Sequence, residues 1–331
     1  MIDPALARTA LADLARRPSA PLGHFPTPID SLNRLGAALG LSQRIFIKRD
    51  DAISFGFGGN KVRKLRYVIP DLVAQHVDTV ITCGGVQSNH ARATAAACAA
   101  SGLHCHIVVN GTAPERPTGN ALLNQLLGAS CEYIAGRADR KPAMAQALER
   151  LRAQGRRPAI VPLGASAPTG ALGYVAAVGE MLQQGARPDV IVHACSSGGT
   201  SAGLLTGVAL HRLTTRVIGI SADDPPPAVE AEVRSIVGGV GELLGVGSDG
   251  LLKAIKVEVD AGFVGTGYGD PTPASVKAQT AAARQEAVFV DHTYSAKALA
   301  GLIAYCRDGR IPPDATVLFW HTGGQVALFA S

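Results

Sequence analysis

The stretch Val190-Ile191-Val192-His193-Ala194-Cys195-Ser196-Ser197-Gly198-Gly199-Thr200-Ser201-Ala202-Gly203 carries the architectural signal of the chain. Its first residues form a short apolar run rich in β-branched side chains, which predicts a buried strand. A turn of glycine, serine and threonine follows, and an Ala/Leu-rich segment through Leu210 then predicts a helix. Consecutive backbone amides and hydroxyls at a helix N-terminus are suited to holding a phosphate. The string matches neither the G-x-G-x-x-G nor the G-x-x-x-x-G-K-[ST] fingerprint, which disfavours dinucleotide and nucleoside-triphosphate binding.

The same alternation runs along the chain. Strands are predicted at Arg44–Lys48, Thr79–Cys83, Cys105–Val109, Cys131–Ile134, Ala159–Pro162, Val190–Ala194, Val217–Ser221, Ala287–Val290 and Thr316–Trp320. Helices are predicted between them, among others at Asn60–Ala74, Asn89–Ser101, Thr118–Leu127, Pro142–Ala153, Ala171–Gln184, Gly199–Leu210 and Ser295–Arg307. Strands alternating with helices imply βαβ units, hence an α/β fold with mostly parallel sheets flanked by helices. The Gly/Pro-rich stretches Ala222–Ala228 and Gly262–Pro273 read as surface excursions.

Composition narrows the function. The chain has 331 residues, 47% apolar and 17% charged, enough for a sizeable core and unlike a disordered chain. Only 15 residues are aromatic and the net charge of +5 is scattered, so no nucleic-acid face is expected, while a site for small anions suits the balance. Six cysteines lack both CxxC and zinc spacing, and several fall in apolar runs, as reduced buried thiols do. His104 and His106 share a strand face without a third ligand and read as surface residues, so no metal is expected. Neither a signal peptide nor an apolar run of membrane-spanning length is evident, which predicts a soluble cytoplasmic protein with no membrane partner.

Three further segments could carry chemistry. Gly58-Gly59-Asn60-Lys61-Val62-Arg63-Lys64-Leu65 follows Lys48-Arg49-Asp50-Asp51. Asn60 is a good helix N-cap, which puts Lys61 in the first turn, where the helix dipole disfavours a cation and lowers the ammonium pKa. That favours a Schiff-base or general-base lysine. Cys83-Gly84-Gly85-Val86-Gln87-Ser88-Asn89-His90 also leads from strand to helix, with Ser88 and Asn89 as caps and the free amides as an anion cradle. Phe319-Trp320-His321-Thr322-Gly323-Gly324 ends a strand with a hydroxyl able to meet a heteroaromatic nitrogen without bringing charge.

Together, in this order, these segments resemble the fold-type II pyridoxal-phosphate enzymes, the tryptophan synthase β-subunit-like group. Within it they resemble the branch of D-cysteine desulfhydrase and 1-aminocyclopropane-1-carboxylate deaminase. The resemblance runs from Leu22-Gly23-His24-Phe25-Pro26-Thr27-Pro28 to Phe329. It implies pyridoxal 5'-phosphate as cofactor, with Lys61 as its Schiff-base lysine preceded by Asn60, Asn89 at the ring hydroxyl, and Ser196, Ser197, Gly198, Gly199 and Thr200 around the phosphate. It further implies Ser88, Asn89 and His90 at a small amino-acid substrate, Tyr268 and Tyr294 facing that substrate, and Thr322 opposite the pyridine nitrogen. Two domains are implied, a large one from residues 1–49 and 161–331 and a small α/β one from 50–160 inserted in it, with a homodimer as the assembly.

Two positions separate the branches. The cyclopropane deaminases carry glutamine after the Ser-Asn pair and glutamate after the second tyrosine; here these are His90 and Ser295. A carboxylate at the ring nitrogen strengthens the electron sink, which opening an unactivated ring needs and a hydroxyl does not supply. The resemblance therefore implies β-elimination of the D-cysteine desulfhydrase kind, in which Lys61 takes the Cα proton and the β-substituent departs, leaving pyruvate and ammonia. L-Cysteate sulfo-lyases share the motifs and stand as an alternative, as does the deaminase. His292, where the family commonly has proline, leaves the substrate open. A non-catalytic cofactor-binding sensor is the non-enzyme alternative, and the intact lysine and phosphate loop argue against it. A nicotinamide oxidoreductase fails on Gly239-Val240-Gly241-Glu242-Leu243-Leu244-Gly245, whose third glycine falls one place late with no clear preceding strand.

Overall fold

A computed structural model describes residues 2–330. Strand β7 (Val190–Cys195) is buried at every position, as a continuous apolar run in a covered parallel sheet must be. It lies inside a six-stranded sheet whose spatial order is β1 (Ile29–Ser31), β2 (Arg44–Arg49), β10 (Thr316–His321), β7, β8 (Arg216–Ser221) and β9 (Val259–Asp260). Only the β1–β2 pair is antiparallel. A second sheet, wholly parallel, has the order β5 (Ser130–Ile134), β4 (His104–Asn110), β3 (Thr79–Gly85) and β6 (Pro158–Ile160).

Helices cover both faces of each sheet. On one side of the six-stranded sheet, α1 (Pro4–Arg16), α7 (Pro168–Gln183), α8 (Gly199–Leu210), α9 (Pro226–Leu243) and α10 (Ser248–Ala254) enclose a core around Tyr174, Leu204, Val237 and Trp320. On the other, α2 (Asn33–Leu39), α11 (Pro273–Glu286) and α12 (Ser295–Arg307) bury Leu299 and Ile303 against Ile47 and Phe319. In the four-stranded sheet, α4 (Asn89–Ala100) packs with Val80 and Ile107 while α6 (Arg140–Ala153) covers Ile81 and Val108. Helix α5 (Gly119–Leu126) lies against α4. Helix α3 (Asn60–Ala74) belongs to both bodies: Leu65 and Ile69 join the core of the smaller sheet, Tyr67 that of the larger.

The expected α/β architecture of parallel sheets flanked by helices is what the structure shows, and the predicted helices Asn60–Ala74, Gly199–Leu210 and Ser295–Arg307 have these bounds. Ala287–Val290, predicted as a strand, pairs with none. Its Val290 carbonyl accepts from the Gln279 side chain at 2.7 Å and its Phe289 carbonyl receives His321 Nε2 at 3.0 Å, so side chains replace the ladder. Ala222–Ala228 is only partly an excursion, because α9 begins at Pro226. Strands β1 and β9 are too short, at three and two residues, to leave a periodic signal. Among the described residues no helix is long and apolar enough to cross a membrane. The Gly239–Gly245 string spans the end of α9 and its C-terminal turn, with no strand before it.

Candidate active site

The N-terminus of α3 is fixed from two directions. Gly59 N donates to Asp50 O at 2.7 Å, and Asn60 N donates to Thr322 O at 3.0 Å. The approach is so close that a Cβ on Gly58, where φ is +64°, would stand 2.5 Å from Asp51 O. Gly59, not Asn60, is the helix cap. Asn60 is the first helical residue, and its side-chain amide donates instead to Thr200 Oγ1 at 3.0 Å, tying the start of α3 to the start of α8. Its Oδ1 accepts from Lys61 Nζ, also at 3.0 Å. Segments far apart in sequence are thereby stitched together around Lys61.

On the facing wall Ser88 caps α4, its hydroxyl accepting from Ala91 N at 3.2 Å, and Asn89 Oδ1 accepts from Asn120 Nδ2 at 2.8 Å. The His90 ring is engaged inside the smaller body. Thr82 donates its hydroxyl hydrogen to Val161 O, so its contact with His90 Nε2, 2.8 Å away, requires the ring to be the donor there. Burial first, then the charges of Lys61 and Lys64, hold the His90 pKa well below the usual value, and the ring is neutral.

Between these walls lies a cavity of about 300 Å³. Asn60, Lys61, Ser88, Asn89, His90, Ser196, Ser197, Gly198, Thr200, Tyr268, Tyr294 and Thr322 all line it. Of the residues expected at the cofactor or the substrate, Gly199 alone is outside the lining, with its N–H donating to Ser166 Oγ at 3.2 Å. Burial, reinforced by the positive charge of Arg92, lowers the Lys61 pKa to about 8, so roughly a tenth of the amine is free at pH 7. Tyr268 and Tyr294 meet edge to face with hydroxyl oxygens 2.6 Å apart, and burial raises both phenol pKa values.

Ser295, the position that separates the two branches, is turned away from the cavity. Its hydroxyl donates to Asp291 Oδ1 at 2.6 Å and accepts from Asp291 N at 2.8 Å. Asp291 also accepts from the amides of Thr293, Tyr294 and Ser295, capping α12. The carboxylates that line the cavity are Asp223 and Asp224.

Sequence reasoning passed over Lys64. It is 1% exposed, and its ammonium donates only to neutral acceptors, Gly164 O and Ser166 Oγ, both at 3.1 Å. Burial drives its pKa well below the usual value. A Cβ on Gly199 would come within 2.8 Å of this Nζ and 2.7 Å of Ser166 Oγ. A buried cation beside the positive end of α8, with no carboxylate partner among the described residues, is a poor arrangement in isolation. A phosphate completes it, and the hydroxyls of Ser196, Ser197 and Thr200 surround the same wall. The residues present therefore fit the phosphate of pyridoxal 5'-phosphate. The only sequence signal for Lys64 was its i, i+3 spacing from Lys61, which puts both on one side of α3. Arg137, Arg140, Asp223 and Asp224 were also missed, each in a segment without a motif.

Comparison with known proteins agrees with this geometry. The family profile described as pyridoxal-phosphate dependent enzyme matches residues 20–323. A 1-aminocyclopropane-1-carboxylate deaminase of Burkholderia cenocepacia is 37% identical, covering 96% of this chain and 97% of its own length. One from Methylobacterium nodulans is 36% identical, covering 93% and 95%. A crystal structure described as an ACC deaminase homologue superposes with a TM-score of 0.88 at 33% identity, over 97% of this chain and 96% of the other. Threonine deaminase isoform 2 of Solanum lycopersicum shares the fold at a TM-score of 0.70 and 20% identity, over 97% and 85%. The chain belongs to the pyridoxal-phosphate dependent enzymes, in the family of D-cysteine desulfhydrase and 1-aminocyclopropane-1-carboxylate deaminase, and its cofactor is pyridoxal 5'-phosphate.

Proposed function

We propose that the chain catalyses β-elimination from a small β-substituted amino acid, in the manner of a D-cysteine desulfhydrase, giving pyruvate, ammonia and the departed substituent. When bound, pyridoxal phosphate supplies the electron sink that stabilises negative charge at Cα. Lys61 is the residue that anchors it covalently, and the same amine, with its lowered pKa, is the base for the Cα proton. Lys64 and the Ser196–Thr200 turn hold the phosphate, Asn89 the ring hydroxyl. The α4 N-terminus, with Ser88, Asn89 and the amide of His90, receives the substrate carboxylate. The Tyr268–Tyr294 pair moves a proton at the leaving group.

The observation that carries this reading is the fate of Ser295, whose hydroxyl is spent on Asp291. Thr322, which lines the cavity, is then the uncharged group assigned here to the pyridine nitrogen. A weaker electron sink suffices for a good β-leaving group and is unfavourable for opening an unactivated carbon ring. The names of the relatives favour the second reading, deamination of 1-aminocyclopropane-1-carboxylate. Incubation of the holoenzyme with D-cysteine, L-cysteine and 1-aminocyclopropane-1-carboxylate separates the two. Pyruvate from a cysteine supports elimination; 2-oxobutanoate from the cyclopropane substrate with no pyruvate would reverse the assignment. We further propose residues 50–160 as the small domain, and a cytoplasmic homodimer as the working assembly, the latter checked by light scattering of the purified protein.

A further inference from the structure

The turn that follows β10 and carries Thr322 cannot hold its own shape. Gly323 and Gly324 both adopt positive φ, +86° and +106°. Neither has room for a side chain: a Cβ on Gly323 would stand 2.6 Å from Gly59 Cα, and one on Gly324 2.5 Å from Asp291 Oδ1. Glycine fits there, yet two in a row leave the backbone many other conformations, so the direction of the Thr322 hydroxyl depends on contacts from outside the turn. One is known already: the Thr322 carbonyl accepts from Asn60 N at 3.0 Å. The hydroxyl itself belongs to a side chain that lines the cavity, and it bonds no group among the described residues.

His321 supplies the second contact. Its ring is fully buried, with Nδ1 3.2 Å from Gly323 N and Nε2 3.0 Å from the Phe289 carbonyl. An amide N–H only donates and a carbonyl only accepts, so the ring hydrogen sits on Nε2 and Nδ1 offers its lone pair to Gly323. Asp51 Oδ2 lies 3.9 Å from Nε2, beyond hydrogen-bond reach, and is taken up by Arg49 Nη2 at 2.8 Å. Phe289 thus selects the tautomer. It does so from the stretch 287–290, which pairs with no strand and leaves that carbonyl to the ring.

We infer that His321 is a positioning residue: through Nδ1 it fixes the Gly323 amide, and so aims the Thr322 hydroxyl at the pyridine nitrogen of the cofactor. This rests on the assignment of Thr322 to that nitrogen made above. His321 does not line the cavity and acts only through its neighbour. A hydroxyl held there as donor requires a ring nitrogen without a proton, since only that form has a lone pair to accept. The Nε2–H tautomer, chosen by Phe289, is in this way linked to the uncharged ring and its weaker electron sink.

The test compares equilibrium binding of pyridoxal phosphate with that of its deaza analogue, in which CH replaces the ring nitrogen, each added to the full-length apoprotein. The wild type should bind the analogue about fivefold more weakly, because one hydrogen bond is lost. Thr322→Val should bring the two affinities together. His321→Gln should do the same, since its amide reaches toward Phe289 but puts no acceptor at the Nδ1 position. His321→Asn places Oδ1 there and should keep most of the difference. A histidine needed only for packing would weaken both ligands alike and leave their ratio at the wild-type value. A wild-type ratio in His321→Gln, or equal affinities in His321→Asn, would overturn the inference with the Thr322 assignment intact, and the Asn variant decides alone should the Gln chain not fold. Equal affinities in the wild type would overturn the assignment and the inference together, while β-elimination is still judged by the pyruvate assay.

Discussion

Tyr268 and Tyr294 share one short hydrogen bond, 2.6 Å between hydroxyl oxygens, although among the described residues neither hydroxyl has a carboxylate or histidine partner. Each phenol carries one hydrogen, so whichever donates to the other leaves its partner's hydrogen free to point into the cavity. As the proposed proton relay, the pair needs both hydroxyls. Tyr268→Phe and Tyr294→Phe should each lower kcat by about 10²-fold. The double variant should lose no more than the worse single one, because removing either hydroxyl already breaks the unit. Full multiplicative loss in steady-state kinetics would show that the two act separately.

As the proposed Schiff-base lysine, Lys61 should set the pH dependence of cofactor capture. Only the free amine attacks the cofactor aldehyde, and with a pKa of about 8 it is mainly protonated at pH 6 and mainly free at pH 9. The rate of absorbance change on adding cofactor to apoprotein should rise about tenfold per unit below pH 8 and level off above it. Arg92→Gln removes a charge that disfavours the ammonium, so its plateau should move to higher pH. Lys61→Ala should bind cofactor without the covalent absorbance band and should not turn over.

Retention of the phosphate reports on Lys64. Lys64→Met should weaken equilibrium binding of pyridoxal phosphate by about tenfold or more, since a charge-assisted contact to the phosphate is lost. Gly199→Ala should act in the same direction, because its Cβ would fill the space between Lys64 Nζ and Ser166 Oγ. Free inorganic phosphate should compete for the wild-type site in a fluorescence titration and compete poorly in Lys64→Met.

Stability hangs on Asp50, which is fully buried and accepts five hydrogen bonds. The donors are Thr27 Oγ1, two nitrogens of Arg63, Tyr174 OH and Trp320 Nε1, at 2.7–3.1 Å. Asp50→Asn keeps the shape but strands the Arg63 charge, leaving Glu180 as its remaining carboxylate partner. The cost should be about 3–5 kcal/mol in denaturant unfolding. Asp50→Asn should also slow turnover, since Arg63 is two residues from Lys61 on the same helix.

The strand–turn–helix units were legible because each is written in consecutive residues, as in Val190–Leu210 and Gly58–Ala74. Ala287–Val290 misled because an apolar run reports burial, not pairing: Val288 and Val290 are buried there in coil. The three prolines at 225–227 read as a loop, yet proline is at home in the first turn of a helix, where α9 places two of them. Around the cavity, Lys61, Ser88, Asn89 and Thr322 could be singled out because they stand at strand or helix ends, where side chains and free amides meet ligands. Arg137, Arg140 and Asp50 could not, since their significance lies in partners 86, 30 and 270 positions away, Asp223, Asn110 and Trp320. Ser295 was marked by type alone; its bond to Asp291 needed coordinates.

Helix α3 carries two sets of obligations on opposite sides. Lys61 and Lys64 look into the cavity, while Arg63 is bound to Asp50 and Glu180 in the protein's interior. A change on the inward side is paid for in folding, and one on the cavity side in cofactor, so this helix has almost no freedom to drift. Arg137 and Arg140 line the same cavity from another segment and, among the described residues, make no bond to Asp50. Substitutions at Arg137 and Arg140 should therefore reshape the cavity wall while leaving the hydrogen bonds to Asp50 in place.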